Sequence, residues 1–186
     1  MMVDPQLEAE ELLPVIDGRG NVIGAEKRGV IHARKLLHMA VHMMVFNPAG
    51  EVLLQLRVAE KDTWPLHWDT SVGGHVMLHE TFEQTLKREM IEEMGLELPY
   101  RFVQALCPAD WTGWEMIRQY VGWTDQTPQP DPQEVADWTF IPLPKLMEEI
   151  ERNERPVTPS LRNFAEHLML HPECLPDEIR KNKEQV

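Results

Sequence analysis

The stretch from Gly74 to Leu96, GHVMLHETFEQTLKREMIEEMGL, constrains this chain more than any other. Thr81 with Gln84 three residues on has the form of a capping box, in which side chain and backbone at a helix start satisfy each other. Gly95 is a natural stop, because glycine enters the left-handed conformation without strain. The spacing predicts a helix of about three to four turns between them. Phe82, Leu86, Met90 and Met94 form an i, i+4 apolar stripe fit to face a core. At ~100° per residue, Glu89, Glu92 and Glu93 share one arc beside that stripe, with Arg88 on the other flank. Carboxylates crowded on one face repel each other. A solvated acidic face is one reading. The other is a hard divalent cation, Mg²⁺ or Mn²⁺, whose charge offsets the repulsion and which prefers oxygen ligands. The run itself leaves both readings open; Gly73 and Gly74 precede the helix, Glu80 opens it, and Gly95 with Leu96 closes it.

The rest of the chain supplies strands around this helix. Leu12 to Asp17 and Val22 to Ala25 flank the turn sequence Gly18-Arg19-Gly20-Asn21, which predicts a hairpin. Ala40 to Asn47 is rich in Val, Met and Phe, a buried strand. Pro48-Ala49-Gly50 turns it into a second strand over Val52 to Val58. A loop bearing Pro and Trp, Lys61 to Asp69, precedes a short run into the glycine pair. Tyr100 to Leu106, Trp114 to Trp123 and Val135 to Ile141 read as further strands. Lys145 to Arg152 and Thr158 to His171 read as helices, the second with a Thr158 cap and Pro159 in its first position. The expected boundaries are a lead-in over residues 1–11, one domain over 12–171, and a weakly ordered tail over 172–186.

The chain has 186 residues and a net charge of -13. That charge repels polyanions, so a nucleic-acid polymer or an anionic membrane is not an expected partner. Cys107 and Cys174 are too few for a disulfide framework and fit a reducing cytoplasm. The first residues, MMVDPQLEAEELLP, are acidic and carry no long apolar run, unlike a signal peptide or a membrane span.

At the level of family, the central stretch resembles the Nudix box, G-x5-E-x7-R-E-U-x-E-E-x-G-U with U a bulky apolar residue. Gly74, Glu80, Arg88, Glu89, Met90, Glu92, Glu93, Gly95 and Leu96 fill every position. The resemblance implies an α/β fold: an α/β/α sandwich on a mixed sheet, carrying the loop-helix-loop of the Nudix hydrolases. It also implies that Glu89, Glu92 and Glu93, with a backbone carbonyl near Gly74, hold Mg²⁺, with Mn²⁺ as the alternative. Arg88 then fixes a carboxylate, Glu80 is a hydrogen-bonding partner within the box, and Gly95 closes the helix. The general base varies in this superfamily: Glu92, Glu93 and the loop acid Glu134 all qualify. Glu80 also reads as an ordinary first-turn acid, and Glu134 as a solvated one. The implied activity is cleavage of a diphosphate bond in a small molecule that joins a (nucleoside) diphosphate to another moiety.

The opening VIDGRGNVIGAEKRGVIHARKLLHMAVHMMVFNPAGEVLLQLR is similar to a Nudix subgroup close to isopentenyl-diphosphate isomerases. His32, His38 and His75 lie near the metal-binding histidines of those relatives. Two departures weigh against isomerisation. Gly73 stands where the isomerase has its cysteine, and Glu115 is the sole acid where the isomerase has a Glu-x-Glu pair. On the hydrolase reading, His32, His38 and His42 are structural side chains, while Gly73, His75 and Glu115 line the site. Trp64 and Trp68 are the expected substrate contacts. Leu66 replaces the glycine of the subgroup's W-P-G-x-W loop. The alternatives to a hydrolase are an isomerase-like enzyme and a non-catalytic ligand-sensing domain. The hairpin and the C-terminal helix offer a face for a homodimer.

Overall fold

The computed structural model describes residues 10–183. The chain opens with an antiparallel hairpin, β1 (Leu12–Ile16) and β2 (Val22–Lys27). Its turn is pinned by Asp17, whose Oδ1 accepts from the Arg19 and Asn21 amides at 2.8 and 2.9 Å. A short helix, α1 (Arg28–Arg34), follows and ends on Lys35 in the left-handed region. No helix was expected here; β-branched Val30 and Ile31 gave no amphipathic signal over so few residues.

Next comes β3 (His38–Phe46), the strand on which the sheet is assembled. It pairs in parallel with β8 (Glu115–Trp123), from His38 opposite Glu115 to Phe46 opposite Trp123. On its other side the neighbour changes along its length. At one end β4 (Glu51–Arg57) joins it through Phe46 and Val52. At the other, β6 (Val72–His75) pairs antiparallel with Ala40 to Met43. β4 diverges to pair with β9 (Val135–Pro142) and with β5 (Trp68–Asp69). The fork between β3 and β4 would strand buried backbone groups, at a cost comparable to a lost hydrogen bond each. Ser71 fills it: its hydroxyl accepts from Val45 N at 2.8 Å and donates to Leu53 O at 2.6 Å. β7 (Tyr100–Leu106) lies outside β8. Together β3 to β9 form one mixed sheet.

Alternation along β3 feeds two cores. Val41, Met43 and Val45 face α2 (Phe82–Met94) and meet Leu86, Met90 and Met94. Met44 and Phe46 face the other way, toward α3 (Leu143–Glu151), α4 (Pro159–Leu170) and α5 (Asp177–Lys183). Helices on both faces of a mixed sheet make the α/β/α sandwich. The α2 capping box is present, with Gln84 N donating to Thr81 Oγ1 at 3.2 Å and Thr81 N to Gln84 Oε1 at 2.8 Å. Gly95 ends the helix at φ 61°. The expected tail is corrected: Leu175 and Ile179 are buried in the second core and the chain turns into α5. Two apolar residues four apart gave too short a pattern to read as a docked helix. The expected lead-in lies almost wholly outside the described residues. No helix among the described residues is long and apolar enough to cross a membrane.

Candidate active site

Strand β6 brings its glycines against the carboxylate arc of α2. Gly73 N donates to Glu93 Oε2 at 2.9 Å, and Gln55 Nε2 donates to the same oxygen at 3.0 Å. Glu93 is buried. Arg88 ties the neighbouring acids together. It forks onto Glu80 at 2.9 and 3.0 Å and reaches Glu89 at 2.7 Å and Glu92 at 2.9 Å. It also donates to the His75 carbonyl at 3.2 Å. Glu80 accepts further from Thr85 Oγ1 and the Met77 amide. The Arg88 contact leads these bonds in holding its carboxyl down to about 2, so it is an anchor and more than a first-turn acid.

Burial pushes the Glu93 carboxyl above its ordinary range, and the charge of Glu89 adds to the effect. Burial likewise raises Glu89, and the Arg88 guanidinium only partly opposes it. This is a site short of positive charge. The polar atoms that converge there are mainly carboxylate oxygens, a donor set that fits a hard divalent cation such as Mg²⁺ or Mn²⁺. Glu134 faces the same cavity and pairs with Lys61, a nearly buried cation also close enough to act on Glu93.

A second constellation stands beside the first. His38 opens β3, Glu115 opens β8 opposite it, and His75 closes β6. α1 adds His32. One donor atom from each of these four lies within 4.8 Å of the others. Outer partners orient the rings. His32 Nδ1 lies 3.0 Å from Asp62 Oδ2, and His38 Nδ1 donates to the Leu36 carbonyl at 2.9 Å. His38 Nε2 is buried without a hydrogen bond and faces Glu115 at 3.6 Å. His75 Nε2 lies 3.1 Å from the same Glu115 oxygen. Burial lowers His75 to about 4 against the pull of Glu115, while the histidine contacts keep Glu115 well below its ordinary value despite burial. Imidazoles around a carboxylate, with outer hydrogen bonds fixing the rings, suit a divalent transition metal. His32 and His38, expected as structural, thus converge on His75 and Glu115.

Both constellations open onto one cavity of about 560 Å³. Trp64 lines it, as do Trp111 and Trp114, which sequence reasoning passed over. Trp68, the other expected substrate contact, is not among the residues lining the cavity. It packs against the second core, with Arg155 4.6 Å over its ring and its backbone bonded to Pro156 and Thr158. The partners Asp62, Gln55 and Lys61 also went unread, because nothing local in the sequence ties them to residues so far along the chain. The signal for Trp111 and Trp114 was their place just before Glu115.

A family model for the NUDIX domain matches residues 36–162. An isopentenyl-diphosphate Delta-isomerase of Serratia proteamaculans is 31% identical over 80% of this chain and 86% of its own length. An uncharacterized Nudix hydrolase of Listeria innocua is 34% identical over 59% of this chain and 66% of its own. In fold, the chain is similar to a crystal structure from Deinococcus radiodurans, with a TM-score of 0.74, 24% identity, and coverage of 84% of this chain and 98% of that one. The family-model match over residues 36–162 spans well over half of the chain, and the chain belongs to the Nudix family.

Proposed function

We propose that this protein is a divalent-cation-dependent hydrolase of a small molecule in which a (nucleoside) diphosphate is joined to another moiety. The observation that carries the reading is the pair Glu89 and Glu93, held against Gly73 and Gly74, where burial outweighs the opposing charges of Arg88 and Lys61. Glu89, Glu92 and Glu93, with the Gly74 carbonyl, would hold Mg²⁺ or Mn²⁺. A bound cation supplies charge neutralisation of the diphosphate and a more acidic water. The chain's own residues do the rest. Arg88, braced on Glu80, fixes the rotamers of Glu89 and Glu92. Gln55 and the Gly73 amide orient Glu93. Glu92, Glu93 or Glu134 takes the proton from the attacking water. Lys61 holds Glu134 and adds positive charge where a diphosphate would enter. Trp64 supplies an apolar surface at the mouth.

A second reading, an enzyme like isopentenyl-diphosphate isomerase, is favoured by the cluster of His32, His38, His75 and Glu115. Against it stand Gly73, which offers no acid, and the buried Ile117 two residues after Glu115. Nucleoside triphosphates, nucleotide sugars, dinucleotides and isoprenoid diphosphates assayed with Mg²⁺ or Mn²⁺ separate the readings. Hydrolysis products are expected. Conversion of isopentenyl diphosphate to its allylic isomer, with no hydrolysis anywhere in the panel, would reverse the order.

A further inference from the structure

Beside the histidine constellation the cavity is walled by two tryptophans. Trp111 stands on a single 3-10 turn, Asp110–Thr112, and Trp114 directly precedes β8. The turn is tied to itself. Thr112 is buried, and its hydroxyl accepts from Ala109 N at 2.8 Å and donates to Ala109 O at 2.9 Å. Trp114 N donates to Ala109 O at 2.9 Å, and the Trp114 carbonyl accepts from His38 N at 3.4 Å. These bonds hold Trp114 at φ 68°, a left-handed value that strains any residue with a side chain. Such strain persists only where the surroundings impose it, and it gathers at ligand sites.

The lining decides which chemistry this wall suits. Its apolar side chains are Ala40, Met77 and the indoles of Trp64, Trp111 and Trp114; among the described residues no Leu, Ile, Val or Phe lines the cavity. An aliphatic tail needs such side chains around it to leave water. Indoles set among charged and hydroxyl groups suit a flat group with a π face and a polar edge, which is the character of a nucleobase. Trp64 already has the His67 ring against it at 5.4 Å. Trp111 is 42% exposed although it lines a cavity. Lys35 Nζ lies 5.9 Å from the centre of the Trp114 ring and 3.5 Å from Asp110 Oδ1. Both partners of that ion pair are exposed, so the pair is weak and each can turn to a ligand's edge.

We propose that Trp111 and Trp114 form a subsite for the heterocyclic base of a nucleoside diphosphate derivative, with the base stacked on Trp111 and its polar edge toward Asp110 and Lys35. The inference rests on the diphosphate reading above and narrows it to a nucleoside's diphosphate. A short path joins the subsite to the glycines: Trp114 adjoins Glu115, Glu115 meets His75 Nε2 at 3.1 Å, and His75 adjoins Gly74. One cavity covers that path. Because the turn is held by its own hydrogen bonds, little ordering cost falls on binding. An aromatic face accepts purines and pyrimidines alike, so the subsite selects for a base more than for its identity.

The test is calorimetry on the full chain with Mg²⁺ and four ligands whose bridging carbon resists hydrolysis: methylenediphosphonate, its isopentenyl ester, and the α,β-methylene analogues of ADP and UDP. The two nucleotides should bind about ten- to a hundredfold tighter than methylenediphosphonate, the scale of one stacked base, and the isopentenyl ester should gain less. Base protons of the bound nucleotides should shift upfield in NMR spectra, as a stacked ring requires. Trp111→Ala, its fold checked by circular dichroism, should remove most of the gain and the upfield shift, and Trp111→Phe should restore both in part. An isopentenyl ester that binds as tightly as the nucleotides overturns the subsite. So do nucleotides that bind no tighter than methylenediphosphonate, or a full gain in folded Trp111→Ala; in these cases the bound methylenediphosphonate leaves the diphosphate site standing. If none of the four ligands binds, the diphosphate reading falls and this inference falls with it.

Discussion

Gly74 and Glu89 are packed so closely that a Cβ on residue 74 would lie 2.0 Å from Glu89 Oε1 and 2.1 Å from its carboxyl carbon. The φ of Gly74 is not in the left-handed region, so the glycine is there for space and not for backbone freedom. Gly74→Ala should therefore leave β6 paired with β3 and drive the Glu89 carboxylate out of the site. Placement of a catalytic group matters steeply, with ~1 Å of error costing on the order of a hundredfold. The expected outcome is a fall in kcat of at least about that size, with weaker Mg²⁺ binding by calorimetry and an unchanged far-ultraviolet circular dichroism spectrum. Wild-type activity in this variant would detach Glu89 from the chemistry.

The raised carboxyls of Glu89 and Glu93 have a consequence for stability. In the folded, metal-free protein both groups hold protons at pH values where the unfolded chain has released them. The folded state then binds more protons, so stability falls as pH rises from the ordinary carboxylate range through neutrality. Glu80 acts in the opposite window: its lowered carboxyl stabilises above the ordinary range and loses that effect as pH falls toward about 2. Thermal melts in a chelator should show a Tm that declines from pH 5 to pH 8. Millimolar Mg²⁺ should abolish much of the decline, because a bound cation stabilises the ionised pair. Glu93→Gln should flatten it without metal and lower turnover by orders of magnitude. A chelated protein whose Tm is level over this range would mean that the pair is not short of positive charge.

Asp62 tests the histidine constellation without touching it from inside. It holds His32 Nδ1 at 3.0 Å and also accepts from Arg28 Nη2 at 3.1 Å. Partners of this kind set the ring orientation of a metal ligand, and their loss costs about 10- to 100-fold in affinity. Asp62→Asn should reduce the affinity for Zn²⁺ or Mn²⁺ by about that factor, measured by calorimetry, while Glu93→Gln leaves the same titration step in place. Equal affinity in Asp62→Asn and the unaltered protein would make the cluster a set of hydrogen-bonded side chains and no more.

How much of this was legible depended on whether the signal was local. The box helix was legible because a cap, a stripe and a stop all lie within one short run, and the structure starts and ends α2 at the expected residues. The sandwich was legible from the order of strands and helices together with the family resemblance. The histidine constellation was legible only through the family resemblance and not from local pattern, because its geometry comes from register: His38 meets Glu115 only because β3 and β8 pair in parallel from that point. Asp62 reaches His32 from a loop some thirty residues away. The tryptophans show the same limit. Trp64 and Trp68 are near neighbours in sequence, but Trp68 enters β5 and turns its ring to the second core, while Trp64 stays at the cavity mouth.

The loop between them stores strain at a position the sequence already marked. Leu66, standing where the subgroup's loop carries glycine, has φ 55°, and Trp64 has φ 50°. A side chain in the left-handed region costs roughly 1–2 kcal/mol, and glycine is free of that cost. Leu66 is 54% exposed, so little packing is lost on removing it. The gain is opposed by about 0.5–1 kcal/mol of extra entropy that glycine gives the unfolded chain. Leu66→Gly should therefore be neutral or stabilising by up to about 1 kcal/mol, whereas a leucine-to-glycine change elsewhere in the chain is damaging. Urea titration of the two proteins under identical conditions reads the difference directly. A loss of more than about 1 kcal/mol would show that Leu66 is held by packing that outweighs its backbone strain.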